Sequence, residues 1–172
     1  MARIKWSERR FDFNFPVELY PELLERLRGT PARLAESLAG VAPERLVRRP
    51  HRGWSIQEHA GHLADLDESL FLPRLDEYAL GVATLRSADM TNQQTEAANH
   101  NARPRDAVLQ RCRETRNRIM SRLEALEPAA FGQVALHPRL AVQMRLVDMV
   151  CFHAEHDDYH LASIAEILRN TA

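Results

Sequence analysis

The sequence lacks any long apolar segment. No run of about 18 apolar residues, the minimum for a transmembrane helix, occurs along the 172 residues. The amino-terminal stretch Met-Ala-Arg-Ile-Lys-Trp6 also lacks the apolar region of a secretory signal peptide. We therefore expect a cytoplasmic protein that makes no contact with a membrane.

An excess of charge of one sign is also missing. The 23 basic and 24 acidic side chains are interleaved along the chain and give a formal net charge of -1. Proteins that bind nucleic acid usually present a clustered positive field, which an interleaved pattern does not produce. We therefore expect no nucleic-acid partner.

Glycine and the β-branched residues are scarce. Only six glycines occur, whereas Leu, Ala, Arg and Glu dominate the composition, and these four residues favour helix. Apolar residues make up 45% of the chain, which is enough for a sizeable core at this length. We predict one all-α domain that spans residues 1–172.

Cysteine is nearly absent. Cys112 and Cys151 are the only two, and each lies on an apolar stripe of a predicted helix. Buried cysteines of this kind usually act as small packing residues. We therefore expect neither a disulfide nor a cysteine nucleophile.

The apolar residues recur at helical spacing in four segments. These segments cover residues 17–39, 55–80, 104–126 and 145–169. The intervening residues form connections, and the polar stretch 81–103 is long enough to form a lid-like loop. The pattern predicts an up-down four-helix bundle with a long loop between its second and third helices.

Capping and helix-breaking residues predict where helices start and end within the first two segments. The first segment is interrupted at Gly29, after which we expect Thr30 to cap a second piece. Ser55 and Glu58 have the spacing of a capping box at the start of the second segment. Pro73 should end or kink that segment before about residue 80.

Three histidines lie on one face of the last predicted helix. At about 100° per residue, His153, His156 and His160 fall within about 60° of one another. His156 and His160, four residues apart, have the spacing to bind one metal ion from adjacent turns. A metal-free bundle whose core histidines are hydrogen-bonded instead is the alternative.

The second predicted helix also carries histidine. His59, near its start, is more typical of a surface or capping residue. His62 lies on the apolar seam, where a hydrogen-bonded core histidine and a metal ligand fit the pattern equally well.

Three stretches resemble the DinB-like (DinB/YfiT) superfamily. They are Leu-Arg-Gly-Thr-Pro31, Trp54-Ser-Ile-Gln-Glu-His-Ala-Gly-His62 and His156-Asp-Asp-Tyr-His160-Leu-Ala-Ser-Ile164. The resemblance covers most of the chain and implies a four-helix bundle with a metal held by three histidines. Carried over to this chain, those ligands are His62, His156 and His160. Where many members have glutamine after the last histidine, this chain has Ser163.

The resemblance implies a metal-dependent enzyme that acts on a small-molecule substrate. Similar members include S-transferases and isomerases that use low-molecular-weight thiols, and proteins described only as metal-dependent hydrolases. We therefore expect a small-thiol-dependent S-transferase or an allied hydrolase, with zinc or nickel as the divalent ion. Three histidines leave an open position, at which a metal-bound water or thiol would be the nucleophile.

Other interpretations stay open at this point. A non-catalytic bundle could use the ion as a structural brace and serve as a binding module, and either form could be a homodimer. His153, Asp157 and Asp65 are candidates to orient the ligating imidazoles by hydrogen bonds. The aromatic amino-terminal arm, with Trp6, Phe11, Phe13 and Phe15, suggests no role beyond lying across the body of the fold.

Overall fold

The structure is a computed structural model that describes residues 4–51 and 53–170. Its helices, in chain order, are α1 (Tyr20–Arg28), α2 (Thr30–Ser37), α3 (Pro43–Val47), α4 (Ile56–Leu66), α5 (Leu72–Ala79), α6 (Gln93–Ala97), α7 (Arg105–Glu124) and α8 (Leu146–Asn170). No helix among the described residues is long and apolar enough to cross a bilayer.

Four helical segments pack into a bundle. The first consists of α1 and α2, the second of α4 and α5, and the third and fourth are α7 and α8. Both α1 and α4 pack mainly against α7 and α8, so the first two segments lie at opposite corners of the bundle. The predicted four-helix bundle is confirmed, with segment bounds that differ by a few residues.

Two apolar clusters form the core. One contains Leu27, Phe71 and Ile119, and the other contains Ile56 and Ile164 with their neighbours. Both clusters draw residues from α7 and α8, which run the length of the bundle. Buried polar side chains lie between the two apolar clusters.

Some of these buried polar side chains form an ion-pair cluster. The fully buried Arg116 of α7 donates hydrogen bonds to Asp67 at 3.1 Å and to Asp157 of α8 at 2.5 Å. His153 Nε2 lies 2.7 Å from the other oxygen of Asp67. Because an unpaired charge at this depth is costly, the cluster fixes how these helices meet.

The predicted cap at Thr30 is wrong. Gly29 keeps a helical conformation, with φ -72° and ψ -17°, so the chain offers no extended residue at which a side chain could cap α2. The Thr30 hydroxyl is buried and donates to Asp157 Oδ2 at 2.7 Å instead. The predicted capping box of Ser55 and Glu58 is confirmed at the start of α4.

The second segment does not end at Pro73. After α4 the chain passes through one π-helical turn, Asp67–Phe71, and continues directly as α5. Pro73 is the second residue of α5 and directly follows the π-helical turn, so the irregular hydrogen bonding lies next to the residue that lacks a backbone N–H. The turn also positions Asp67 beside Arg116.

Two short strands depart from the all-helical prediction. Strands β1 (Val134–His137) and β2 (Val142–Arg145) form an antiparallel hairpin, in which Val134 pairs with Arg145 and His137 with Val142. Leu136 also pairs with Thr84 of the long loop. Four-residue strands joined by a turn without glycine give too short a pattern for periodicity to detect.

The aromatic arm lies along α8. The rings of Trp6 and Phe11 pack against Phe152, with centroids 5.0 and 4.9 Å away. Arg145 donates to the backbone carbonyls of Phe13 and Phe15. The arm therefore covers the amino-terminal half of α8, next to the histidines.

Candidate metal centre

Three buried histidines converge between α4 and α8. His62 and His156 face each other with their Nε2 atoms 3.4 Å apart, and His160 Nε2 lies 3.1 Å from His156 Nε2. One ring nitrogen from each of the three lies within 4.8 Å of the others. The structure thus brings together the three histidines that the family resemblance assigned as ligands.

The arrangement fits a divalent ion. Two nitrogens bound to one zinc at about 2.1 Å with tetrahedral angles are about 3.4 Å apart, close to the separations seen here. Burial lowers the pKa of His62 to about 4, and burial together with His62 and His153 lowers the pKa of His156. Neutral rings present lone pairs, and an all-nitrogen site suits zinc or nickel better than calcium or magnesium.

His62 is oriented by a hydrogen-bond relay. Its Nδ1 lies 2.8 Å from Thr95 Oγ1, and Thr95 donates to Asp65 Oδ2 at 3.2 Å. The Thr95 hydroxyl gives its hydrogen to the carboxylate, so His62 Nδ1–H is the donor to Thr95. The remaining nitrogen, Nε2, then points its lone pair at His156 and His160.

Asp65 is itself held in place from two sides. His100 Nε2 lies 2.8 Å from Asp65 Oδ2, and Arg111 donates to Asp65 Oδ1 at 2.6 Å. His100 reaches this position because Gly61 has no side chain, and a Cβ there would come within 2.3 Å of the His100 ring. The long loop is thereby attached to α4 behind His62.

His160 has a second histidine beside it. His59 Nδ1 lies 2.8 Å from His160 Nδ1, so one ring donates to the other. The Trp54 ring packs against both His62 and His160, with centroids 4.7 and 6.0 Å away. His59, which resembled a surface or capping residue, is half-buried at the centre. Ser163 donates to the Tyr159 carbonyl of its own helix.

The remaining orienting candidates bond elsewhere. His153 and Asp157 belong to the ion-pair cluster around Arg116. His156 Nδ1 is buried without a hydrogen-bond partner among the described residues. The rings of Trp6 and His156 lie edge to face, with centroids 5.0 Å apart. Of the three predicted candidates, Asp65 is the one that reaches a ligand candidate, through Thr95.

A pocket of about 640 Å³ opens onto the three histidines. Its walls include Trp6 of the arm and Ala88 and Met90 of the long loop. The loop thus forms part of the pocket wall, and the pocket can admit a small molecule to the ring nitrogens.

Neither cysteine is suited to act as a nucleophile. Burial raises the pKa of Cys112 to about 12, and burial also raises the pKa of Cys151. Both are free thiols, Cys112 buried and Cys151 half-buried. Since a thiolate is the reactive form, both remain inert near neutral pH.

Sequence analysis missed Thr95 and His100. Both lie in the polar loop, where no periodicity assigns them a face. The detectable signal was Gly61, because glycine inside a helix costs about 1 kcal/mol relative to alanine and usually has a packing reason.

Comparisons with known proteins agree with this architecture. A family model described as the DinB superfamily matches residues 26–164. YfiT from Bacillus subtilis, described as a probable metal-dependent hydrolase with an unusual four-helix bundle topology, is 20% identical with a TM-score of 0.77, over 95% of this chain and 93% of that chain. A mycothiol-dependent maleylpyruvate isomerase is 14% identical with a TM-score of 0.66, over 87% of this chain and 60% of the isomerase. No curated protein matches the chain.

Proposed function

This chain belongs to the DinB superfamily, and on that premise we propose that it is a metal-dependent enzyme acting on a small molecule. His62, His156 and His160 hold one divalent ion, zinc or nickel. The observation that carries the proposal is that three buried ring nitrogens converge at the wall of a pocket.

The chain's own residues prepare this centre. Burial lowers the pKa values of His62 and His156, which favours neutral rings, and the relay through Thr95 holds the lone pair of His62 toward the other two rings. A divalent ion bound there would lower the pKa of a water or small thiol in its open position and so supply the nucleophile. Trp6 and Trp54 line the pocket beside the three rings.

The reaction is transfer of a small thiol to an electrophile, or hydrolysis. Both cysteines have raised pKa values, which supports a nucleophile that comes from outside the chain. The description of one structural neighbour as a probable metal-dependent hydrolase supports hydrolysis, and the description of another as a mycothiol-dependent isomerase supports the use of a small thiol. A low-molecular-weight thiol is the expected cosubstrate of the transfer reaction, whereas hydrolysis uses water.

A purely structural ion is the second candidate function. It would brace α4 against α8, and the protein would serve as a binding module. The burial of all three rings favours it, whereas the pocket beside them favours catalysis, because a structural site is usually closed. Solvent or thiol exchange at the bound ion separates the two functions.

Metal content is the first test. Replacing one of the three histidines by alanine should lower the zinc or nickel bound by the purified protein to less than about a tenth of the parent protein's content, because two imidazoles bind far more weakly than three. The variants are His62→Ala, His156→Ala and His160→Ala. Elemental analysis after dialysis measures this, with the exposed His51→Ala as the matched control. Full metal content in His62→Ala would contradict the assignment and direct attention to His59.

Activity is the second test. We expect thiol transfer to a chromogenic electrophile, or ester hydrolysis, to stop on chelation and to return when zinc or nickel is added back. The double variant Cys112→Ser/Cys151→Ser should keep its activity. Unchanged turnover after chelation would refute the proposal, as would an inactive double variant with full metal content.

A further inference from the structure

A second group of polar side chains lines the same pocket, away from the three histidines. Arg74 of α5 is 2% exposed, and its Nη2 donates to the Arg86 carbonyl at 2.8 Å. Its Nη1 faces His137 Nε2 at 3.3 Å and the Met149 sulfur at 3.7 Å. No carboxylate among the described residues forms an ion pair with this guanidinium.

A neutral His137 ring has one acceptor nitrogen, so it cannot accept from both Leu140 and Arg74. We assign the lone pair to Nδ1, at which the backbone N–H of Leu140 points from 3.2 Å. A neutral imidazole with a lone pair at Nδ1 carries its hydrogen at Nε2. Arg74 Nη1 and His137 Nε2 are therefore two donors that face each other, and the acceptor that Nη1 reaches among the described residues is the weakly accepting Met149 sulfur.

Arg139 adds a third donor. Its guanidinium lies over the Phe152 ring, 5.7 Å from the centroid. Its Nη2 is buried and has no hydrogen-bond partner within the described residues. Burial lowers the pKa of Arg74 to about 10 and also lowers that of Arg139, yet both stay charged near neutral pH.

The acidic residues of the pocket do not neutralise these cations. Asp89 and Glu166 also line it, but both are exposed, and among the described residues neither forms an ion pair with Arg74 or Arg139. Asp76 and Glu77, the acids closest in sequence to Arg74, are paired with Arg122 and Arg86. Burying a positively charged hydrogen-bond donor without a strong acceptor costs free energy unless a ligand supplies the acceptor.

We propose that Arg74, Arg139 and His137 form a subsite for the carboxylate of the substrate, so that this protein acts on small organic acids. Two carboxylate oxygens can accept from the Arg74, Arg139 and His137 donors together. The proposal rests on the proposed function only in taking the bound acid to be the substrate.

The subsite lies within reach of the candidate metal centre. Met149 and Phe152, which contact Arg74 and Arg139, precede His156 on α8. At 1.5 Å per residue, Met149 is about 10 Å from His156 along the helix. The rings of Trp6, Phe71 and Phe152 line the pocket, so an acid with an apolar body fits between the two ends.

Calorimetry with matched ligands tests the subsite. We expect phenylacetate to bind the metal-loaded protein at least about 10-fold more tightly than phenylacetamide, which has the same shape without the charge. Arg139→Gln should weaken phenylacetate binding about 10-fold and leave phenylacetamide unchanged. Arg48→Gln removes the same charge from an exposed residue outside the pocket and should stay within about 2-fold of the parent protein.

Two further measurements distinguish binding at this subsite from binding to the metal. Phenylacetate should bind equally to chelator-treated protein, since binding that requires the metal would overturn the subsite. Arg139→Gln should melt close to the parent protein, because removing the unpartnered buried donor offsets the lost contact with the Phe152 ring. Equal affinity for the acid and the amide, or tighter binding of phenyl phosphate, would also overturn it. Failure of metal binding or catalysis with selective acid binding intact would count against the proposed function alone.

Discussion

The orientation of His62 depends on a single hydroxyl. Thr95 lies between the ring of His62 and the carboxylate of Asp65. The arrangement fixes which nitrogen of His62 carries the hydrogen, and hence which one can bind a metal. Groups that orient a ligating imidazole in this way affect metal affinity without touching the ion.

Thr95→Val should weaken metal binding about 10- to 100-fold while the fold is retained. Valine has nearly the same shape but cannot accept from His62 Nδ1–H, so the ring loses its fixed orientation. Competition with a chromophoric chelator measures the affinity. Thr91→Val, which removes an exposed hydroxyl of the same loop, is the control. Equal affinities of the Thr95 and Thr91 variants would show that the relay has no influence.

At the scale of elements, α4 and the long loop are joined through Gly61. The His100 ring occupies the space that a side chain at position 61 would fill. His100 also bonds to Asp65, which belongs to the relay. The contact therefore links helix packing to the orientation of His62.

Gly61→Ala should destabilise the protein by about 1–3 kcal/mol, although alanine is the better helix former. The new Cβ would lie 2.3 Å from the His100 ring and would displace it. Urea unfolding measures the change, and Gly132→Ala, where nothing lies within 4 Å, is the control. Adding His100→Ala to the variant should relieve the clash, so the two substitutions should not be additive. A single variant that is more stable than the parent protein would contradict the close packing of His100 on Gly61.

Local sequence accounts for the bundle, and tertiary contacts account for the rest. The apolar period and the capping box of Ser55 were sufficient to predict α4, α7 and α8, because those signals act within a few residues. The position of Thr95 depends on contacts with distant residues, which no local pattern encodes. From local sequence Thr30 resembles a helix cap, because its buried partner Asp157 is remote in sequence. His62 was assigned as a ligand by family resemblance, and that assignment stays a prediction.

At the scale of the whole molecule, buried histidines make stability depend on pH. Burial lowers the pKa of His62 and of His137 to about 4, and also lowers that of His156. In the unfolded chain these rings titrate near about 6.5. Between these values the unfolded chain binds more protons than the folded protein, so stability is fully present above about pH 6.5 and decreases as the pH falls toward 4.

The metal-free protein should therefore lose several kcal/mol of its unfolding free energy between about pH 6.5 and 4. His62 alone would contribute about 3 kcal/mol, at about 1.4 kcal/mol per unit of pKa. Urea unfolding at a series of pH values measures the slope. His137→Gln should reduce it, whereas the exposed His51→Gln should not. Stability that is constant or rises on acidification would contradict the burial of neutral rings.

The π-helical turn at Asp67–Phe71 determines in which direction the side chains after it project, relative to the side chains before it. His62 and Arg74 both line the pocket, yet twelve steps of about 100° in an unbroken α-helix would leave their side chains about 120° apart. Because π-helical hydrogen bonds join residues five apart instead of four, the turn absorbs one residue and reduces this difference to about 20°. The same amino acids in a regular helix would direct Arg74 away from the cavity that His62 faces.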